Sequence, residues 1–173
     1  HIADDMRDEF TTELKSWIKE GWLLPYDEKS LGPALGLIPL MAVEQQSKAK
    51  IRPVFDYREL NLHVTSHTAD ADVCAEQLRK WRRHGKRVAV VDLKKAYLQL
   101  RTETRLWPYQ TVIVEGKRYA LTRVGFGLNV APMIMKAVVS AVLSQRPAMV
   151  QAVLPYVDDL CVNEDMVSAD DVV

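Results

Sequence analysis

Asp158 and Asp159 stand side by side in Tyr156-Val157-Asp158-Asp159. Apolar Ala152, Val153 and Leu154 come shortly before them, and Leu160, Cys161 and Val162 follow directly. Two adjacent acids between two short apolar runs predict a tight hairpin holding both carboxylates at its tip. Like charges about 4 Å apart repel by about 4 kcal/mol at an effective dielectric near 20. A fold accommodates this where one acid keeps a proton or a cation stands between the two. When phosphate chemistry is the task, that cation is usually a divalent metal. Taken alone, the tetrapeptide reads equally well as an exposed acidic turn.

Asp92 is the third acid of interest. It closes Val88-Ala89-Val90-Val91, a continuous apolar run predicted to be a buried strand. If that strand neighbours the hairpin in an antiparallel sheet, three carboxylates meet at one end. That donor set suits two metal ions ~3.5–4 Å apart, one activating the attacking oxygen and one neutralising the leaving phosphate. Standing alone, Asp92 reads as a helix N-cap or turn acid before Lys94. Tyr97 reads as a core aromatic beside Leu98 and Leu100, or as a ring facing a ligand. Gly125 and Gly127 flank Phe126, where small residues let backbone approach a flat ligand or simply open the next helix. Arg52 opens Pro53-Val54-Phe55-Asp56-Tyr57-Arg58. It is a fork for phosphate or an ordinary surface arginine.

The elements that position these residues follow from the apolar pattern. Phe10, Leu14, Trp17 and Ile18 predict a helix over 5–20 that stops at Gly21. Residues 21–36, with Pro25, Gly32, Pro33 and Gly36, read as an extended arm. Strands are predicted at Leu37–Val43 and Ile51–Phe55, joined by the polar loop Glu44–Lys50. A helix is predicted over 72–84, with Asp70 or Asp72 at its start and Gly85 at its end. Gln110–Val114 and Lys117–Leu121 flank Glu115-Gly116 as a hairpin. Val130–Gln145 is a predicted helix, N-capped by Asn129, with Pro132 in its first turn and Pro147 ending it. Met149–Tyr156 and Leu160–Asn163 are predicted to pair across the two acids. Mixed helices and antiparallel strands make this an α+β chain.

Bulk composition narrows the classes further. The 173 residues include 48% hydrophobic and 27% charged side chains, an ordinary globular balance. No run approaches the ~18 apolar residues of a membrane span, and the N-terminus is too acidic for a signal peptide. Cys74 and Cys161 form neither a disulfide framework nor a metal-ligand spacing, so a reducing compartment is expected. A chain that opens on His is expected to be a piece of something longer. The formal net charge is zero, but basic residues cluster at Lys48, Lys50 and Arg52 and again from Arg79 to Arg87. The second cluster reads as a solvated helix face.

Four segments in order carry a resemblance. They are Arg52-Pro-Val-Phe-Asp56-Tyr-Arg58-Glu-Leu-Asn61, Val91-Asp92-Leu-Lys-Lys-Ala-Tyr97, Gly125-Phe126-Gly127-Leu128-Asn-Val-Ala-Pro132 and Tyr156-Val-Asp158-Asp159. Over roughly residues 35–165 the chain resembles the fingers and palm of reverse transcriptases of long-terminal-repeat retrotransposons and retroviruses. The resemblance implies a right-hand polymerase fold whose antiparallel palm sheet packs on helices. It places an N-terminal helix and arm in 1–36 and fingers in 37–86 with part of 100–123. Residues 87–173 would be mainly palm, ending before the primer grip and thumb.

It also implies roles for individual residues. Asp92 and Asp158 would ligate two Mg²⁺ ions, or Mn²⁺ as a substitute, helped by the Leu93 carbonyl, with Asp159 as the second hairpin acid. Arg52 would contact the incoming triphosphate, with Lys48 and Lys50 as candidates for the fingers lysines. Tyr97 would be the steric gate against a ribose 2′-hydroxyl, Ala96 would lie under the sugar, and Phe126 and Gly127 would line the nucleotide pocket. Tyr156 and Pro132 would sit near primer and template.

The implied activity is RNA-directed DNA synthesis by two-metal nucleotidyl transfer. Its partners would be a primed RNA or DNA template, dNTPs and the rest of a polyprotein, with no membrane. It would act inside the cell, in the cytoplasm or in retrotransposon particles. Two alternatives remain: a right-hand polymerase copying RNA into RNA, which a bulky Tyr97 disfavours, and a non-catalytic remnant that binds nucleic acid or a partner protein.

Overall fold

Residues 4–45, 50–65 and 73–172 are described in the structure, a computed structural model. In chain order it comprises α1 (Asp4–Lys19), β1 (Leu23–Pro25), α2 (Glu28–Leu31), β2 (Leu40–Gln45), β3 (Lys50–Phe55) and α3 (Arg58–Leu62). There follow α4 (Val73–Arg82), β4 (Val88–Asp92), α5 (Ala96–Gln99), a 3₁₀ turn at Thr104–Tyr109, β5 (Thr111–Val114) and β6 (Lys117–Leu121). The last elements are α6 (Ala131–Ser144), α7 (Pro147–Ala152), β7 (Val153–Tyr156), β8 (Asp159–Asn163) and a 3₁₀ turn at Ala169–Asp171. They fall into two compact units, His1–Thr65 with Tyr97–Leu128 and Ser66–Ala96 with Asn129–Val173. Among the described residues no helix is long and apolar enough to cross a membrane.

The first unit is built around the apolar stripe of α1. Leu14 and Trp17 are buried in one cluster with Trp22, Leu23, Phe55, Val112 and Leu121. Trp17 meets Phe55 at 5.3 Å between centroids, and Phe55 meets Tyr57 edge-on at 5.9 Å. Two antiparallel sheets frame this core, one ordered β1-β6-β5 and the other β2-β3. The expected arm over 21–36 is therefore partly regular: β1 pairs with β6, and α2 adds one helical turn. Trp22 and Leu23 draw this segment in, since burying both outweighs the turn preference of its Gly and Pro residues. The β5–β6 hairpin forms as expected, with Glu115 at φ 49° and Gly116 at φ 74°, the paired positive angles of a type I′ turn. Leu98 of α5 joins the same cluster and fixes the turn that bears Tyr97.

One close approach in this unit was not expected. Gly125 is buried beneath the ring of Tyr57, and a Cβ at Gly125 would overlap the Tyr57 hydroxyl and Cζ. The space beside Gly125 thus belongs to Tyr57 rather than to a flat ligand. The Tyr57 side chain is only 2% exposed, and its hydroxyl finds no hydrogen-bond partner among the described residues. Burial pushes its pKa far up.

The second unit holds a sheet ordered β4-β8-β7, antiparallel throughout. Leu160 and Val162 of β8 and Val153 of β7 are buried, and α6 and α7 pack against β7 with Ala131, Met135, Met149 and Ala152 inside. Helix α4 lies against the same strand through polar side chains. Gln77 Nε2 donates to the Pro155 carbonyl at 3.0 Å, and His84 Nε2 donates to that of Ala152 at 2.7 Å. Trp81 meets Tyr156 edge-on at 6.3 Å.

Four expectations change here. Strand β4 is not buried: it lies at the sheet edge, and Val88 and Val90 are 46% and 62% exposed. A continuous apolar run does not reveal whether a strand has one neighbour or two. The segment after Pro147 opens as α7, with Pro147 in its first turn, and becomes a strand only at Val153. The α6 cap is Val130 rather than Asn129, with no side-chain cap bond. The hairpin tip holds Val157 and Asp158, whereas Asp159 already belongs to β8 and pairs with Tyr156. The proposed starts of α4 at Asp70 or Asp72 lie outside the described residues.

Substitution at the Gly125–Tyr57 contact should have opposite effects on its two sides. Gly125→Ala forces a Cβ into an aromatic ring and should lower stability by about 1–3 kcal/mol, as overpacking does. Tyr57→Phe removes an unpartnered buried hydroxyl and should raise the melting temperature. The double variant should recover part of the Gly125→Ala loss, a coupling that thermal melts of the four proteins measure directly.

Candidate functional site

Strands β4 and β8 run antiparallel in a register that sets Val88 opposite Asn163 and Asp92 opposite Asp159. Side chains directly opposite in such a pair share one face, and like charges there are destabilising. Asp158 follows at the hairpin tip, where Val157 takes φ 55° while Asp158 stays at negative φ. The Leu93 N–H donates to the Asp158 carbonyl at 2.9 Å, tying the tip to the residue after Asp92. The Leu93 carbonyl accepts from the Ala96 N–H at 3.1 Å, closing the turn into α5, and Lys95 in that turn has φ 52°.

The electrostatics follow from this placement. The Asp159 pKa is raised, first by burial and then by the negative charges of Asp158 and Asp92. Among the described residues no group of three or more His, Cys, Asp or Glu side chains converges closely enough to hold a metal ion. The donor chemistry nonetheless fits Mg²⁺, a hard cation bound through one or two carboxylates with water and substrate phosphate rather than in an all-protein cage. Asp92, Asp159 and Asp158 provide those oxygens at adjacent strand ends.

The first unit contains a second group of candidates. Tyr97 is buried, and its ring meets Phe126 edge-on at 5.6 Å, while Phe126 is 67% exposed. Asn61 Nδ2 donates to the Gly127 carbonyl at 2.9 Å, bracing the loop that presents Phe126. Arg52 is exposed on β3, opposite Val43. Lys50 opens β3 opposite Gln45, and Lys48 lies outside the described residues. In the second unit, Ala96 is buried at the start of α5, Pro132 is exposed in the first turn of α6, and Tyr156 is half-buried against Trp81. Asp92 and Asp159 thus stand opposite one another in one unit, with Asp158 next in the chain, and Tyr97 meets Phe126 in the other.

Sequence reasoning passed over Tyr57, Asn61 and the Asp56–Arg58 pair. Arg58 Nη2 and Nε donate to the Asp56 carboxylate at 2.6 and 2.8 Å, and the Arg58 N–H donates to it at 3.1 Å. These bonds from Arg58 hold the Asp56 carboxyl down at about 2. A signal was present: Tyr57 and Asn61 stand at i and i+4 across α3, on one helical face.

No family model and no curated protein matches the sequence. Among solved structures, the chain resembles native prototype foamy virus protease-reverse transcriptase, with TM-score 0.73 and 22% identity over 94% of this chain and 20% of that one. It also resembles the foamy viral protease-reverse transcriptase in complex with dsDNA, with TM-score 0.72 and 20% identity over 94% of this chain and 32% of that one. The chain therefore spans about a fifth to a third of the length of these proteins. The likeness shows that the chain has a reverse-transcriptase-like fold of mixed helices and antiparallel sheets.

Proposed function

We propose that this chain is the nucleotidyl-transfer core of an RNA-directed DNA polymerase. The observation that supports it most is the β4–β8 register, which opposes Asp92 and Asp159 while the Asp158 carbonyl is bonded to Leu93. It occurs within a fold shared with the foamy virus enzyme. The expected division into fingers, in 37–86 with part of 100–123, and palm, from 87 onward, forms part of this proposal.

In this reading the reaction joins a primer 3′-oxygen to the α-phosphate of a deoxynucleotide, and pyrophosphate leaves. Asp92 and Asp158, with Asp159 and the Leu93 carbonyl, would hold Mg²⁺ or Mn²⁺. When bound, the ions neutralise charge on the attacking and leaving oxygens. Arg52 supplies a guanidinium to the triphosphate, with Lys50 and Lys48 as further candidates. Tyr97, held by α5 and by the Phe126 ring, limits the room beside the sugar, with Ala96 beneath it. Phe126 and Gly127 border the base, and Tyr156 and Pro132 lie toward primer and template. Pairing with the template selects the base, so the protein grips backbone and shape rather than reading sequence.

A second reading is a catalytically silent remnant that binds nucleic acid or a partner protein. It is favoured by the absence, among the described residues, of a converged group of three acids. Primer extension on an RNA template with dNTPs and Mg²⁺ or Mn²⁺ decides between them. Incorporation is expected, falling on the order of a hundredfold or more in Asp158→Asn. No incorporation from the folded chain supports the remnant.

Two further outcomes follow. Tyr97→Ala should relax discrimination against ribonucleotides on the order of tenfold, about 1.4 kcal/mol; discrimination as strict as the parent's removes Tyr97 from the gate. For Asp159 the folded-state pKa lies above the unfolded value, so the folded chain binds that proton more readily. Its ionised form therefore opposes folding at neutral pH, and the penalty disappears as pH falls through the raised pKa. Asp159→Asn should melt on the order of 2 °C higher near pH 7 and converge with the parent below about pH 4. Millimolar Mg²⁺ or Mn²⁺ should raise the melting temperature of the parent more than that of the variant.

A further inference from the structure

The stretch from Gln77 to Val91 contains six arginines and lysines and no acid. Of these, Arg87 helps dock the stretch onto the end of β8, its Nη2 donating to the Glu164 carbonyl at 2.7 Å. Gln77 and Trp81 face β7 and His84 faces the end of α7, so Arg79, Arg82 and Arg83 project on the opposite side, and all three are exposed. Two cations of the run are neutralised locally: Lys80 pairs with Glu76 at 2.7 Å, and Arg87 pairs with Asp165 at 3.3 Å. Arg79 Nε donates to the Ala75 carbonyl. Among the described residues, the side chains of Arg82, Arg83 and Lys86 have no carboxylate partner.

We propose that Arg79, Arg82, Arg83 and Lys86 form a strip that binds the phosphate backbone of a nucleic acid, separate from the acidic site. The choice of nucleic acid as partner rests on the polymerase reading; the existence of an anion-binding strip does not. Four features support it. Like charges at i and i+4, as in Arg79 with Arg83 at the end of α4, are destabilising unless a counter-charge lies across them, and Lys86 adds a further cation just beyond the helix. Their spacing of about 5–6 Å along the surface suits a repeating charge rather than a single anion. The aromatic residue of the run, Trp81, is turned onto Tyr156 and is no stacking platform, so the strip should grip phosphates without reading bases. Finally, β4 leads from the strip to Asp92. Its five residues span about 13 Å, roughly four base-pair steps of a duplex held at the acids.

The alternative is that these cations simply complement the helix C-terminus. Binding of a labelled mixed-sequence RNA–DNA hybrid, followed by anisotropy in EDTA without nucleotide, distinguishes the two. The full chain is compared with Arg79→Gln/Arg82→Gln/Arg83→Gln between about 50 and 200 mM salt. The expected result is affinity weakened on the order of tenfold or more, with the log–log salt slope smaller by about 2–3. An unchanged slope overturns the strip. Equal competition by polyglutamate of matched charge also overturns it, in favour of an acidic protein partner. If the triple variant melts early, Lys86→Gln alone, outside the helix, should reduce the slope by about 1. Asp158→Asn keeps the two proposals apart: it should bind as the parent does yet fail to extend a primer. Failure of the folded parent to extend a primer would defeat the polymerase reading while leaving the strip standing on its binding data, and extension by Asp158→Asn would remove only Asp158 from the chemistry.

Discussion

The pairing of β4 with β8 is the constraint on which the acidic site depends. A slip of one residue would move Asp92 to the other face of the sheet, away from Asp159. Burial secures the register only weakly, since β4 is an edge strand with Val88 and Val90 exposed and Ala89 and Val91 half-buried. Polar bonds at the two ends hold it instead. At one end Asn163 Nδ2 donates to the His84 carbonyl at 2.6 Å, and the Glu164 N–H donates to that of Arg87 at 2.9 Å. At the other the Leu93 N–H donates to Asp158. Directional bonds fix alignment where apolar contact, which is non-directional, would tolerate a shift.

The same logic governs the other edge of that sheet. Strand β7 would present unpaired carbonyls, a recurrent hazard of edge strands. Its Pro155 has no N–H to offer, which suits an edge position. Helix α4 answers with Gln77, whose Nε2 reaches the Pro155 carbonyl, and just past the helix His84 reaches the Ala152 carbonyl where α7 runs into β7. The inward face of α4 thus combines a polar donor, Gln77, with the Trp81 ring on Tyr156, while Arg79 and Arg82 stay exposed. In the first unit Gln110 plays a comparable part. It is buried, and its Nε2 donates to the Leu121 carbonyl at 2.8 Å and to the Thr102 hydroxyl at 2.9 Å.

What could be read from the sequence was whatever a local pattern encodes. The α1 stripe, the Glu115-Gly116 hairpin and the strands on either side of Val157 and Asp158 all follow from spacing or turn chemistry within a dozen residues. What could not be read depended on partners distant in the chain. The apolar run of β4 looks the same whether it lies at a sheet's edge or its centre. The segment after Pro147 reads as strand until the helical preference of a proline-opened turn is weighed against its apolar content. Tyr57 and Gly125 are 68 positions apart (125 − 57), and only the fold reveals that one occupies the space the other leaves. The three acids were visible as residue types. That Asp159 rather than Asp158 faces Asp92 depends on a register that no spacing specifies.

Val157 shows what the acidic site demands of the backbone. A two-residue hairpin with positive φ at its first position favours glycine there, yet a β-branched residue occupies it at φ 55°. Such a conformation costs about 1–3 kcal/mol and persists only where the surroundings over-determine it. Here the surroundings are the β7–β8 ladder on one side of the tip and the Leu93–Asp158 bond on the other. A glycine would relax the tip and also free it to reorient, loosening the carboxylate that the Leu93 contact positions. Strain at Val157 and repulsion between Asp92 and Asp159 therefore act in the same place and the same sense. Both are stability given up at a single sheet end: the strain holds the tip in one conformation, and the repulsion is what a cation between the carboxylates would relieve.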